Sequence, residues 1–195
     1  MNIGIYLYDN AEVLDFAGPF EVLSTAKRLS GHDWNIFFVA ENLNLVQARG
    51  GFPVQPHFSF DAHPDIDILF VVGGVHTEEV KKANVISWIT NASSKSKRVL
   101  SVCTGAFILA EAGLLDGLTV TTHWEDLDDL KADYPLLNVI NDQRWISDGK
   151  YITSGGISAG IDMSLYLVSE LTTLALAEKT AKQMEYHWQK HLVKK

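Results

Sequence analysis

Short apolar runs alternate along this chain with longer stretches in which apolar residues recur at helical spacing. Ile3–Tyr8 opens as a strand, being short, apolar and rich in Ile and Tyr. Beyond the polar turn Asp9-Asn10, the spacing of Phe16, Phe20, Leu23 and Ala26 predicts a helix from Phe16 to Leu29. Asn35–Ala40 and Leu43–Ala48 read as two more strands, joined through Glu41-Asn42 in a hairpin-like connection. Asp67–Val72 is a continuous apolar run ending in Gly73-Gly74, the pattern of a central parallel strand covered on both faces. A helix over Thr77–Asn91 and a polar loop over Ser93–Lys97 follow.

Arg98–Val102 is a further buried strand, running into a helix over Thr104–Ala112 with Gly113 as its C′ stop. Leu118–Thr122 resembles a strand, followed by a helical stretch over Trp124–Asp133. Within Trp145–Thr153, Asp148-Gly149 lies between two alternating runs and signals a hairpin. Gly155-Gly156 precedes a long helix from about Ser158 to Thr173, and a last helix covers about Ala175–His191. Strands alternating with helices imply right-handed βαβ units and a mostly parallel sheet. The expectation is one α/β domain over residues 1–195, a three-layer sandwich with helices on both faces of the sheet.

Composition narrows the function. At 195 residues with 47% hydrophobic and 21% charged positions, the chain can bury a core without metal or disulfide staples. A net charge of −8 argues against nucleic acid as a partner, because phosphate binding rests on Lys and Arg. Lys190, Lys194 and Lys195 read as a solvated end, not a basic arm. The single cysteine permits no intrachain disulfide and suits a reducing compartment. With no basic leader at the N-terminus and no apolar run of membrane-spanning length, a cytoplasmic protein is expected. No histidine, cysteine and carboxylate grouping has structural-zinc spacing, and no metal or cofactor is expected.

In sheets of this kind ligands bind beyond the carboxyl ends of the strands. Four turns at such ends hold unusual residues: Glu12–Asp15, Gly73–Thr77, Cys103–Gly105 and Thr122–Trp124. In Val102-Cys103-Thr104-Gly105-Ala106 a buried strand turns straight into a helix, with a nucleophile-type residue at the bend and small residues after it. A helix N-terminus there favours thiolate over thiol. A lone cysteine can equally be a small, inert core residue; the turn favours the nucleophile. Gly73-Gly74 allows close backbone approach to a substrate. Amides from Gly74 and Thr104 together would form a two-donor oxyanion hole. Asp15 carries two open readings, an N-cap for the first helix or a carboxyl exchanging protons with the thiol. His123, directly after a strand, is a candidate base near Cys103; the other six histidines lack such a context.

Read together, VLDFAGPFEVL, VVGG, VCTGAFILAEAGLLDG, TTHW and SGGISAGIDMSLYLV resemble the ThiJ/PfpI superfamily over nearly the whole chain. Within it the chain is most similar to the isonitrile hydratase branch, which also resembles the sensor domains of AraC-type regulators. The resemblance implies a class I glutamine amidotransferase-like, flavodoxin-like fold and a homodimer. It implies Cys103 as nucleophile, Asp15 as the acid bonded to the thiol, Thr104 as the assisting threonine and Gly74 as the oxyanion-side glycine. Members with peptidase-like activity carry histidine after the cysteine, where this chain has Thr104, which weakens a protease reading. The usual Pro-Gly-Gly is here Val72-Gly73-Gly74. The expected reaction is hydration of a small isonitrile to an N-substituted formamide. The alternatives are a glyoxalase- or amidase-like cysteine hydrolase, or a ligand or redox sensor without turnover. The final helix leaves no room for a DNA-binding module, so direct transcriptional control is not expected.

Overall fold

The computed structural model describes residues 1–190. Its elements in chain order are β1 (Asn2–Tyr6), α1 (Val13–Ser30), β2 (Asn35–Ala40), β3 (Val46–Ala48), β4 (Phe52–Val54), β5 (Phe58–Ser59), β6 (Ile68–Val71), α2 (Ala83–Lys95) and β7 (Arg98–Val102). The second half holds α3 (Gly105–Glu111), β8 (Thr119–Val120), α4 (Leu127–Asp133), β9 (Asn138–Val139), β10 (Trp145–Asp148), β11 (Tyr151–Ser154), α5 (Ala159–Leu171) and α6 (Leu174–Gln183).

A seven-stranded sheet runs β10-β11-β7-β6-β1-β2-β5, parallel throughout except for β10 at one edge. The mixed α/β, mostly parallel sheet flanked by helices is the one expected. All four residues of β6 are buried, as befits a strand with helices above and below it. One layer is α1, α5 and α6 packed on one another; α2 and α3 form the other. The buried positions of α2 are Val85, Trp88, Ile89, Ala92 and Ser93, a single stripe at helical period. The strand order turns around at β1, whose neighbours are β2 on one side and β6 on the other. That reversal leaves a crevice beyond the carboxyl ends of β1 and β6, where ligands bind in such sheets.

Several elements differ from the sequence reading. The hairpin between the second and third strands does not form: β3 pairs with β4 in a separate two-stranded sheet. The strand after α3 shrinks to β8, which pairs parallel with β9 instead of joining the main sheet. The helix expected from Thr77 begins with a short 3-10 turn at Glu79–Lys81 and becomes α2 only at Ala83, carrying through Ser93 to Lys95. Conversely α1 starts at Val13 and runs through Pro19, whose missing N–H leaves the Asp15 carbonyl without its helical partner. Burial of Phe16, Val22, Leu23 and Ala26 on the sheet offsets that loss. Asp15 therefore lies inside the first turn; the N-cap position belongs to Glu12, which makes no side-chain cap. The last helix ends at Gln183. Its expected end at His191, and Lys194 and Lys195, lie outside the described residues, while Lys190 pairs with Glu178.

Candidate active site

The turn after β7 has the geometry its sequence suggested. Cys103 adopts φ 55°, the left-handed region that costs a side-chain-bearing residue of order 1–3 kcal/mol. The surrounding backbone holds it there. Its amide donates to Ser154 O at 3.2 Å and Gly155 O at 3.3 Å, and its carbonyl accepts from Thr122 Oγ1 at 2.8 Å. Gly105 is required next, because a Cβ there would strike the Val71 carbonyl of β6. A sharp strand-to-helix turn so pinned keeps the side chain aimed one way. The thiol is 8% exposed and faces a cleft of about 390 Å³.

Asp15 is fully buried behind it. Its two carboxyl oxygens accept from different parts of the chain, Oδ2 from Gly73 N at 3.1 Å and Oδ1 from Ile157 N at 3.0 Å. The Cys103 thiol lies beside it and helps to hold its charge. Burial raises the carboxyl to about pKa 7, against the lowering pull of the Ile157 and Gly73 amides. Burial also pushes the Cys103 thiol up, with the Asp15 charge adding to it; the Thr104 amide opposes the shift without cancelling it. The resting sulfur is thus a thiol, not the thiolate that a helix N-terminus alone would favour. The short helix α3 is outweighed by desolvation and a buried carboxylate.

The four turns singled out from the sequence do meet, since Glu12, Gly74, Thr77, Cys103, Thr104 and His123 all border the one cleft. Gly74 sits at φ 140°, and a Cβ would strike Asn10 O and stand 2.7 Å from Ala11 Cα. Its amide donates to Thr104 Oγ1 at 2.9 Å, and Thr104 Oγ1 donates back to Gly74 O at 2.9 Å. The Gly73 amide is given to Asp15. His123 is beside the thiol: a Cβ on Gly156 would collide with the His123 ring and stand 3.1 Å from Cys103 Sγ. His123 Nδ1 is engaged by its own turn, with Glu125 N and the Asp126 carboxylate each 3.4 Å away.

Three contributors escaped the sequence reading. Ile157, at φ 55°, gives its amide to Asp15 and a side chain to the cleft wall. Its signal was the Gly155-Gly156 pair just before it. Arg49, paired with Glu12 at 3.4 Å, enters from the loop between β3 and β4, which has no pattern marking it. The His76 ring lies tilted against Phe107 at 4.2 Å, and burial lowers its pKa, so it faces the cleft uncharged. Among the described residues no cluster of three or more His, Cys, Asp or Glu could hold a metal ion. No helix among them is long and apolar enough to cross a membrane.

Comparison with known proteins agrees with this architecture. The DJ-1/PfpI family model matches residues 1–170. An isonitrile hydratase of Pseudomonas putida is 33% identical over 95% of this chain and 78% of its own length. The transcriptional regulator GbdR of Pseudomonas aeruginosa is 30% identical over 86% of this chain, which spans about half that regulator's length, 46%. A ThiJ/PfpI family protein from Pseudomonas syringae superposes with a TM-score of 0.86 at 29% identity, covering 98% of this chain and 77% of that one.

Proposed function

Because the chain belongs to the DJ-1/PfpI family, we propose that it is a cysteine-dependent enzyme hydrating small isonitriles to N-substituted formamides. The observation that carries the reading is the buried Asp15 carboxyl, raised to about pKa 7, set beside the buried Cys103 thiol. A carboxyl poised there can both take and return a proton near neutral pH. The similarity to an isonitrile hydratase supports the choice of substrate.

The chemistry starts from the thiol. As Cys103 Sγ bonds to the terminal carbon of R–N≡C, Asp15 takes the sulfur proton and delivers it to that carbon. The product is a thioimidate, R–N=CH–S–Cys103. Water then adds to the same carbon, giving R–NH–CH(OH)–S–Cys103. Collapse expels the sulfur, which regains its proton, and releases R–NH–CHO. Thr104, which lines the cleft, would orient the water, and amides near Gly74 and Thr104 would stabilise charge on the added oxygen. The partners are small molecules in a cleft of about 390 Å³.

A ligand-sensing role is the second reading, favoured by the similarity to GbdR. Peroxide sensing fits less well, because such sensors use exposed, low-pKa thiolates and Cys103 is neither. The deciding experiment incubates the protein with a panel of isonitriles, methylglyoxal and amides, with Cys103→Ala and Asp15→Ala as controls. Formamide production lost in both variants supports the hydratase; isonitrile hydration retained by Cys103→Ala sinks it.

A further inference from the structure

Tyr8 lies two residues beyond Tyr6, the last residue of β1, and its ring stacks on that of Tyr6 at 5.6 Å. Both are buried. The Tyr6 hydroxyl donates to Glu79 Oε2 at 2.6 Å, whereas the Tyr8 hydroxyl has no hydrogen-bond partner among the described residues. A buried phenol with an idle O–H is uncommon, because tyrosine hydroxyls taken from water usually find a partner. The surroundings of this one are polar. Burial and the nearby charges of Asp15 and Glu79 hold it well above the ordinary phenol range, so it is a donor at any physiological pH. The Thr104 side chain is also close to it, though not in hydrogen-bonding geometry.

Thr104 Oγ1 is occupied elsewhere. It spends its proton on Gly74 O and one lone pair on Gly74 N, leaving a second lone pair unused. The Gly74 amide, one of the donors an oxyanion hole at this site needs, is therefore held by Thr104. For that amide to meet a reacting atom, the threonine hydroxyl must turn away and take another partner.

We propose that Tyr8 is a positioning residue, whose O–H receives the Thr104 hydroxyl as it leaves Gly74 and so frees the Gly74 amide for charge formed at the site. The exchange balances. The idle phenol proton gains an acceptor, the Gly74 amide passes from Thr104 to the developing anion, and the threonine proton is released toward the cleft to hold water. This role rests on the reading that Cys103 adds to an electrophile here.

The test uses full-length wild type, Tyr8→Phe, Thr104→Val and the double variant. Two readouts are taken: isonitrile hydration, and the dissociation constant of the hemithioacetal that a small aldehyde, propanal, forms with Cys103. The aldehyde adduct carries an oxygen at the reacting carbon and needs no hydratase activity. Tyr8→Phe should keep or raise the melting temperature, since it removes an unpaired buried oxygen. It should lower kcat and weaken the adduct roughly tenfold with little change in KM, less than the about 10²–10³-fold lost when a direct oxyanion donor goes. In the Thr104→Val background the same change should have no further effect, because Tyr8 acts through that hydroxyl. Full activity and an unweakened adduct in Tyr8→Phe overturn the proposal, as does an equal loss in the Thr104→Val background. Wild type that hydrates no isonitrile, with an adduct still weakened by Tyr8→Phe, instead defeats the reading of the reaction and keeps the positioning role.

Discussion

Gly73 gives its amide to Asp15 Oδ2 at 3.1 Å, tying a carboxyl on α1 to the end of the central strand β6. The bond spares part of the cost of burying Asp15 without cancelling it, and the carboxyl is left near pKa 7. Replacement by Asn keeps the shape but loses the proton carrier. Asp15→Asn is expected to lower kcat by about 10²–10⁴-fold, the usual range for a general acid–base group. Steady-state assays with a turned-over isonitrile check it.

The same group sets two opposite pH trends. The form that accepts the thiol proton is the carboxylate, so kcat/KM should climb as pH rises toward 7 and level off above it. Stability runs the other way. The Asp15 pKa is raised from 3.8 to about 7 on folding, so between those values the folded state binds more protons than the unfolded one. Stability then falls with rising pH, by at most about 1.4 kcal/mol per unit from this group, and is flat above 7. Denaturant melts from pH 4 to 8, compared with Asp15→Asn, should show that slope vanish in the variant.

Cys103 should alkylate slowly for a cysteine. Burial and the Asp15 charge hold it as a thiol, and the thiolate is the reactive form. Iodoacetamide labelling followed by intact mass at pH 7.5 should be slower than for a free thiol. It should speed up in Asp15→Asn, where the adjacent negative charge is gone.

Gly156→Ala tests how tightly the thiol and His123 are packed. The new methyl would overlap the His123 ring and stand 3.1 Å from Cys103 Sγ. Turnover should fall while the fold persists, since the clash is with side chains at the cleft. Circular dichroism and a kinetic assay on one preparation separate the two.

Arg144 pairs with Asp162, which is fully buried in α5 and also accepts from Tyr186 Oη at 3.1 Å and Gln189 N at 2.9 Å. Arg144→Met should destabilise the protein, by less than the about 3–5 kcal/mol of a wholly buried pair, because two donors to Asp162 remain. Chemical denaturation measures the loss.

The sheet and the elbow were legible because their signals are local. DILFVV announces a strand covered on both faces, and Cys-Thr-Gly after Arg98–Val102 announces a sharp turn with no room for bulk. The turns that meet at the cleft could be named because strand ends in parallel sheets share one side. Pairing was harder. Leu43–Ala48 alternates well enough for a strand, yet nothing local says whether it joins β2 or folds onto Phe52–Val54. Protonation was not legible either. Whether Cys103 is thiol or thiolate depends on Asp15 being buried beside it, and on amides that Gly73 and Ile157 bring from other turns.

The bond from the Ile157 amide to Asp15 spans 142 positions of sequence. Cys103 stands between them in the chain, and the strand that presents it is the neighbour of both β6 and β11. A proteolytic fragment lacking Ile157 leaves the carboxyl with the Gly73 amide alone, and a refolding chain completes its proton relay only when segments this far apart in sequence meet. Recovery of activity after dilution from denaturant should therefore trail the return of helical signal, making catalysis itself a reporter of this long-range contact.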